Sequence, residues 1–155
     1  MPCPRHAAVS ALALAAALAP AAAQATTVTT ATTAPIVEPA DNASVTVTDT
    51  GSVVVDAATD ENAVTMEGAN ATVDNAGTIE SESEEAVVFD EDGGTLTNTG
   101  TIASGNKEGV QAEKDFTLTN SGTITAVDDG VNADDGAEIT NSGTITVTGL
   151  GDDAG

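Results

Sequence analysis

The side chains that could do chemistry in this 155-residue chain are almost all carboxylates. They come in clusters: Glu80 to Glu85, Asp90-Glu91-Asp92, Asp128-Asp129, Asp134-Asp135 and Asp152-Asp153. Two carboxylates facing each other across a groove are the apparatus of glycoside hydrolysis. Several gathered at a bend are hard oxygen ligands for calcium. With 25 acidic side chains, however, any surface offers such pairs by chance. Only Phe89 and Phe116 are aromatic, and Lys107 and Lys114 are the only basic groups beyond Arg5. No catalytic, cofactor-binding or metal-ligating residue is therefore assigned. The nonapeptide calcium repeat is missing, since Gly93-Gly94-Thr-Leu-Thr-Asn98 lacks its third glycine, and the EF-hand pattern fails from Asp128 to Gly136. Weak calcium binding at Asp-rich bends is the most these residues imply, and a solvated acidic surface is the plainer account.

What the chain lacks narrows the function further. Cys3, His6 and Arg5 are its only cysteine, histidine and arginine, and all lie in an N-terminal segment read below as removable. Without it the net charge moves from −22 to −23. No imidazole or thiol then remains for a nucleophilic triad, a disulfide or a Cys/His zinc site. At such a charge the field repels nucleic acid and anionic membrane surfaces alike. The chain is read as a non-enzyme.

The elements that must carry these residues begin after an export signal. Arg5 precedes the apolar run Ala7 to Ala19, and small residues follow around Ala21 to Ala25, which together make a secretory signal peptide over residues 1–25. The run is too short and Ala-rich for a membrane span. Cleavage after Ala23 or Ala25 would start the mature protein at Gln24 or Thr26. Residues 26–43, rich in Thr and Ala with Pro35 and Pro39, read as a linker or loosely ordered N-terminal cap.

From residue 44 to 155 the chain repeats itself. Asn75-Ala-Gly-Thr-Ile79, Asn98-Thr-Gly-Thr-Ile102, Asn120-Ser-Gly-Thr-Ile124 and Asn141-Ser-Gly-Thr-Ile145 recur, with Asp49-Thr-Gly-Ser-Val53 as a degenerate first copy. Two residues before each Asn or Asp stands Val47, Val73, Leu96, Leu118 or Ile139. A third register runs Val64/Met66, Val87/Phe89, Val110/Ala112 and Val131/Ala133. Alternation such as Thr117-Leu118-Thr119 predicts strands with one buried face, and Asn-x-Gly predicts bends at residues tolerant of positive φ. One unit cannot bury its own apolar face, whereas stacked units can. The expectation is an all-β fold: a parallel β-helix, or β-solenoid, of about five turns of 21–26 residues. Phe116 is expected inward, filling space beside Ala112. The repeated Asn is read as a structural ladder bonding to the next rung and to backbone.

Leu118-Thr-Asn-Ser-Gly-Thr-Ile124, followed by Gly130-Val131, resembles the passenger repeats of bacterial autotransporters, the right-handed β-helix proteins of type V secretion. The resemblance implies an adhesin-like stalk at the cell surface or secreted, associated with the outer membrane of a Gram-negative cell. It also implies a C-terminal translocator barrel and an unknown host or surface ligand as partner. Because Gly155 falls mid-unit, the repeats are expected to be truncated and the gene to continue. The alternative function is a calcium-dependent secreted surface or matrix protein. Ice binding by outward Thr-x-Thr rows is a third reading: Thr95/Thr97 and Thr117/Thr119 fit it, while Thr72/Asp74 and Glu138/Thr140 interrupt it.

Overall fold

The structure is a computed structural model and describes residues 23–149. Residues 1–22 of the expected signal, and the Asp152-Asp153 cluster, lie outside the described residues. The described residues are all strand and turn, wound into a β-solenoid. The first coil is β1 (Ala25–Val28), β2 (Ala31–Thr32) and β3 (Ile36–Glu38), and the second is β4 (Ser44–Val47), β5 (Ser52–Val55) and β6 (Val64–Met66). The third is β7 (Thr72–Asn75), β8 (Thr78–Ser81) and β9 (Val87–Phe89), and the fourth β10 (Thr95–Asn98), β11 (Thr101–Ser104) and β12 (Val110–Ala112). The fifth is β13 (Thr117–Asn120), β14 (Thr123–Ala126) and β15 (Val131–Ala133), after which β16 (Glu138–Asn141) and β17 (Thr144–Val147) begin a sixth.

Every strand pairs in parallel with its counterpart one coil away, giving sheets of six, six and five strands. Register follows the apolar columns. Ile79, Ile102, Ile124 and Ile145 stack in the second sheet. Val73, Leu96, Leu118 and Ile139 stack in the first. Val64/Met66, Val87/Phe89, Val110/Ala112 and Val131/Ala133 stack in the third. The inward residues of coils two to five fill one continuous core. A one-residue slip would turn every one of them to solvent, so the columns fix the register.

The aromatic pair shows how tightly that core is fitted. Phe89 leans over the following corner, where a Cβ on Gly94 would come within 2.6 Å of its ring. One coil later the order reverses: Ala112 is small and Phe116, fully buried, supplies the bulk. The rings meet at 5.3 Å between centroids, tilted by 48°. Large and small residues thus alternate along the axis, as near-crystalline packing requires.

Residues 26–43, expected as a linker or cap, are laid down mostly as the first coil, with β1, β2 and β3 paired on β4, β5 and β6. Its strand signal was weak because three inward positions are polar: Thr26, Thr32 and Glu38 stand where the next coil has Val45, Val53 and Met66. Glu38 is 2% exposed and accepts a hydrogen bond from the Thr26 hydroxyl. Polar inward residues at the terminal coil close the apolar core off from solvent, which is the role of a solenoid cap.

The second coil corrects the repeat alignment. Val45, rather than Val47, pairs with Val73, and Val47 pairs with Asn75. Asp49 is therefore displaced from the Asn column. The coil takes 28 residues from Ser44 to its partner Thr72, because the turns after Val47 and Val55 are both longer than their counterparts. Matching Asp49-Thr-Gly-Ser-Val53 to Asn-x-Gly-Thr-Ile concealed the two extra residues at the first of these turns.

The bends also differ from expectation in their physics. Apart from Asp60 in the long second-coil turn, positive φ falls at the corner leading into the first sheet, where Asn42, Asn70, Gly93, Asp115 and Gly136 form a column. These types tolerate the left-handed region best. The glycines of Asn-x-Gly have no positive φ. Each is needed because its backbone lies against the coil before: a Cβ on Gly100, Gly122 or Gly143 would collide with the carbonyl oxygen of Gly77, Gly100 or Gly122.

Candidate functional site

Three corners separate the three sheets, and they divide the charge unequally. Between the second and third sheets lie Asp56, Asp60, Glu61, Glu82, Glu84, Glu85, Glu108, Asp128 and Asp129. Between the third sheet and the next coil lie Asp41, Glu67, Asp90, Glu91, Asp92, Glu113, Asp115, Asp134 and Asp135. Apart from Glu80, which lies on β8, the described carboxylate clusters thus fall on two acidic ridges along the solenoid. Between the first and second sheets the turns carry Ala76, Thr99, Ser121 and Ser142, and only the second coil adds a charge there, Asp49.

That neutral corner is organised by the Asn column. Asn75, Asn98 and Asn120 are buried. Their side-chain Nδ2 groups donate to Oδ1 of Asn98, Asn120 and Asn141, each at 2.8 Å. The same amides reach the carbonyls of Thr101, Thr123 and Thr144 at 3.0, 3.2 and 3.5 Å. This is the expected ladder, and it leaves the amides committed to structure. A second set of buried polar groups was missed. Ser81 donates from Oγ to the Glu61 carbonyl at 3.0 Å, and Ser104 to the Glu84 carbonyl at 2.8 Å. Both hydroxyls also accept from the turn that follows, from the Glu84 and Lys107 N–H groups. They pin one coil's corner to the next. Their sequence signal was a Ser two residues after the inward Ile, where Ala126 and Val147 stand in later coils.

On the acidic ridge, the long turn of the second coil overhangs a cavity of about 330 Å³. Asp60, Glu61, Asn62, Glu84 and Glu85 line it. Partial burial holds the Glu84 carboxyl above the usual range, helped by hydrogen bonding to Asp60 and by the negative charges of Asp60 and Glu85, with Lys107 opposing. Among the described residues no three acidic side chains converge as a metal cage would require. The outward Thr rows of the first sheet are interrupted as expected by Asp74 and Glu138, and Thr46, Thr48 and Asp49 further wall a groove over them.

No protein-family model matches the chain, and neither a curated protein nor a solved structure is significantly similar to it.

Proposed function

We propose that this chain is a non-enzymatic extracellular scaffold: the membrane-distal start of an autotransporter-type passenger, displayed as an adhesin-like stalk. The observation that carries the reading is the repetition itself. Five full coils spend their polar groups on ladders and turns, and their two acidic corners keep the stalk hydrated and unaggregated outside the cell. The resemblance of Leu118-Thr-Asn-Ser-Gly-Thr-Ile124 to passenger repeats supplies the secretion route: an inner-membrane signal over residues 1–25 and a translocator barrel encoded downstream. The Ser44 N–H donates to the Gln24 carbonyl at 2.7 Å, extending the β1–β4 ladder, so Gln24 belongs to the folded coil. That contact favours cleavage after Ala23 over cleavage after Ala25 in this reading.

The test is expression of the intact gene, with an epitope tag in the exposed turn Asp56–Asp60, in a Gram-negative host. Antibody labelling of unbroken cells and an N-terminus at Gln24 by mass spectrometry are the expected results. Retention in the cytoplasm with Arg5 still present would refute the reading.

A further inference from the structure

The groove on the first sheet has a composition unlike the rest of this surface. It encloses about 410 Å³ and is lined by Thr46, Val47, Thr48, Asp49, Asp74, Asn75, Ala76, Thr97 and Thr99. That volume lies within the range of ligand pockets. Thr48 and Asp49, from the longer first corner of the second coil, are part of its lining. On the floor, Thr48 and Thr99 turn their hydroxyls to the backbone carbonyls of Val28, at 3.2 Å, and Asn75, at 3.3 Å. The Asn75 amide is consumed by the ladder. What these residues leave for a ligand is methyl groups. Two exposed carboxylates then stand out: Asp49, alone at the neutral corner, and Asp74, outward on β7 between Thr46 and Thr97.

An apolar trough flanked by two carboxylates selects an aliphatic chain ending in a cation. Among the described residues no third acidic side chain joins these two, so the groove is a poor match for calcium, which takes six to eight oxygens. A lysine matches on both counts: its methylene stem lies along apolar surface and its ammonium donates to carboxylates. We propose that this groove binds a lysine side chain presented by a basic partner polypeptide. The volume exceeds one side chain and leaves room for flanking residues. The −22 charge of the whole chain draws a cationic segment in. This inference stands whether or not the chain is an autotransporter passenger.

The experiment is a titration of the isotopically labelled protein, followed by amide chemical shifts, with a capped Gly-Lys-Gly peptide. Its norleucine and ε-acetyl-lysine counterparts serve as comparisons. Shifts are expected to concentrate at Thr46–Thr50, Asp74–Ala76 and Thr97–Thr99, with both comparison peptides binding about tenfold more weakly, the scale of one desolvated charge-assisted contact. Asp49→Asn with Asp74→Asn should weaken the lysine peptide by about tenfold, whereas Asp134→Asn with Asp135→Asn, on an acidic ridge, should change it less than about twofold. All four aspartates are exposed, so folding is retained, and an unchanged circular dichroism melt checks this. Thr97→Lys, which supplies an ammonium from within, should abolish binding. Shifts spread evenly along the acidic ridges, or equal losses in the two aspartate pairs, would overturn the proposal in favour of general electrostatic attraction.

Discussion

Replacing Asn98 by Val tests whether the ladder is a cooperative unit. Asn98 is fully buried, and the substitution removes its Nδ2 bonds to Asn120 Oδ1 at 2.8 Å and to the Thr123 carbonyl at 3.2 Å. It also takes away the acceptor for Asn75 Nδ2, although that amide keeps the Thr101 carbonyl at 3.0 Å. A stranded buried polar group costs about 1–3 kcal/mol. Asn120 Oδ1 is stranded outright, and the Asn75 amide and the Thr123 and Gly100 carbonyls each lose one partner. Val returns about 1 kcal/mol through its buried methyls. The net loss is about 2–4 kcal/mol, measurable as a fall in the urea midpoint. The deciding variant is the triple substitution Asn75→Val, Asn98→Val and Asn120→Val. Much of each single loss is the orphaning of a neighbour, and the triple removes those neighbours together, so it should cost less than the sum of the three singles. An additive triple would refute the ladder as the source of the stability and leave three independent packing sites.

Ile124→Asp should unfold the protein or lower its stability by several kcal/mol, because Ile124 is fully buried, whereas Thr125→Asp on the outward face should stay within about 0.5 kcal/mol; equal thermal shifts would contradict the register. Added sodium chloride should raise the melting temperature, since the two acidic ridges repel along their length and screening relieves this; a fall with salt would contradict it. Glu84→Gln should stabilise at neutral pH: a carboxyl held above its usual range in the fold binds its proton more tightly there, so its ionised form opposes folding. The benefit should fade as the pH drops below the ordinary carboxylate range, and a benefit independent of pH would exclude ionisation as its cause. Val47→Asn alone should destabilise, while Val47→Asn combined with deletion of Asp49 and Thr50, which restores Asn-x-Gly at the second coil, should recover most of the loss by adding a rung above Asn75; no recovery in urea denaturation would mean that the extra residues are not what excludes Asn there.

The columns were legible because each repeats at nearly fixed spacing, and stacking needs nothing else. Ile79, Ile102, Ile124 and Ile145 announce a shared position through their identical neighbours, and the same holds for the Asn ladder. Where neighbours differ, the signal failed. The first coil substitutes Thr26, Thr32 and Glu38 for apolar residues, so its strands read as a linker or loosely ordered cap, while its backbone pairs like the others. The second coil keeps its apolar interior but changes its corners, so Asp49 took the place of Val47 in the alignment. The left-handed corner was invisible as a motif because Asn, Gly and Asp substitute for one another in it. Glycine misled in the opposite direction. Its fixed place after Asn suggested conformational freedom, whereas the requirement comes from a carbonyl one coil away, a contact no local pattern records.

The groove and the cavity described above trace to one cause. The second coil is five residues longer than the third, measured between first-sheet partners Ser44, Thr72 and Thr95, and its first-sheet and third-sheet strands pair with the third coil in full register. The excess therefore cannot enter the core and is expelled at two corners. At the first it raises Thr48 and Asp49 and shapes the lysine-selective groove, which Asp74 also lines. At the second it carries Asp60 and Glu61 over Glu84 and Glu85, producing a cavity in which the Glu84 carboxyl is held above its usual range. A solenoid tolerates such insertions because stacked interior columns, rather than corner lengths, hold its coils together. Binding surface can thus be gained on one coil with no change to the repeats that support it, and the irregular coil is where recognition is expected.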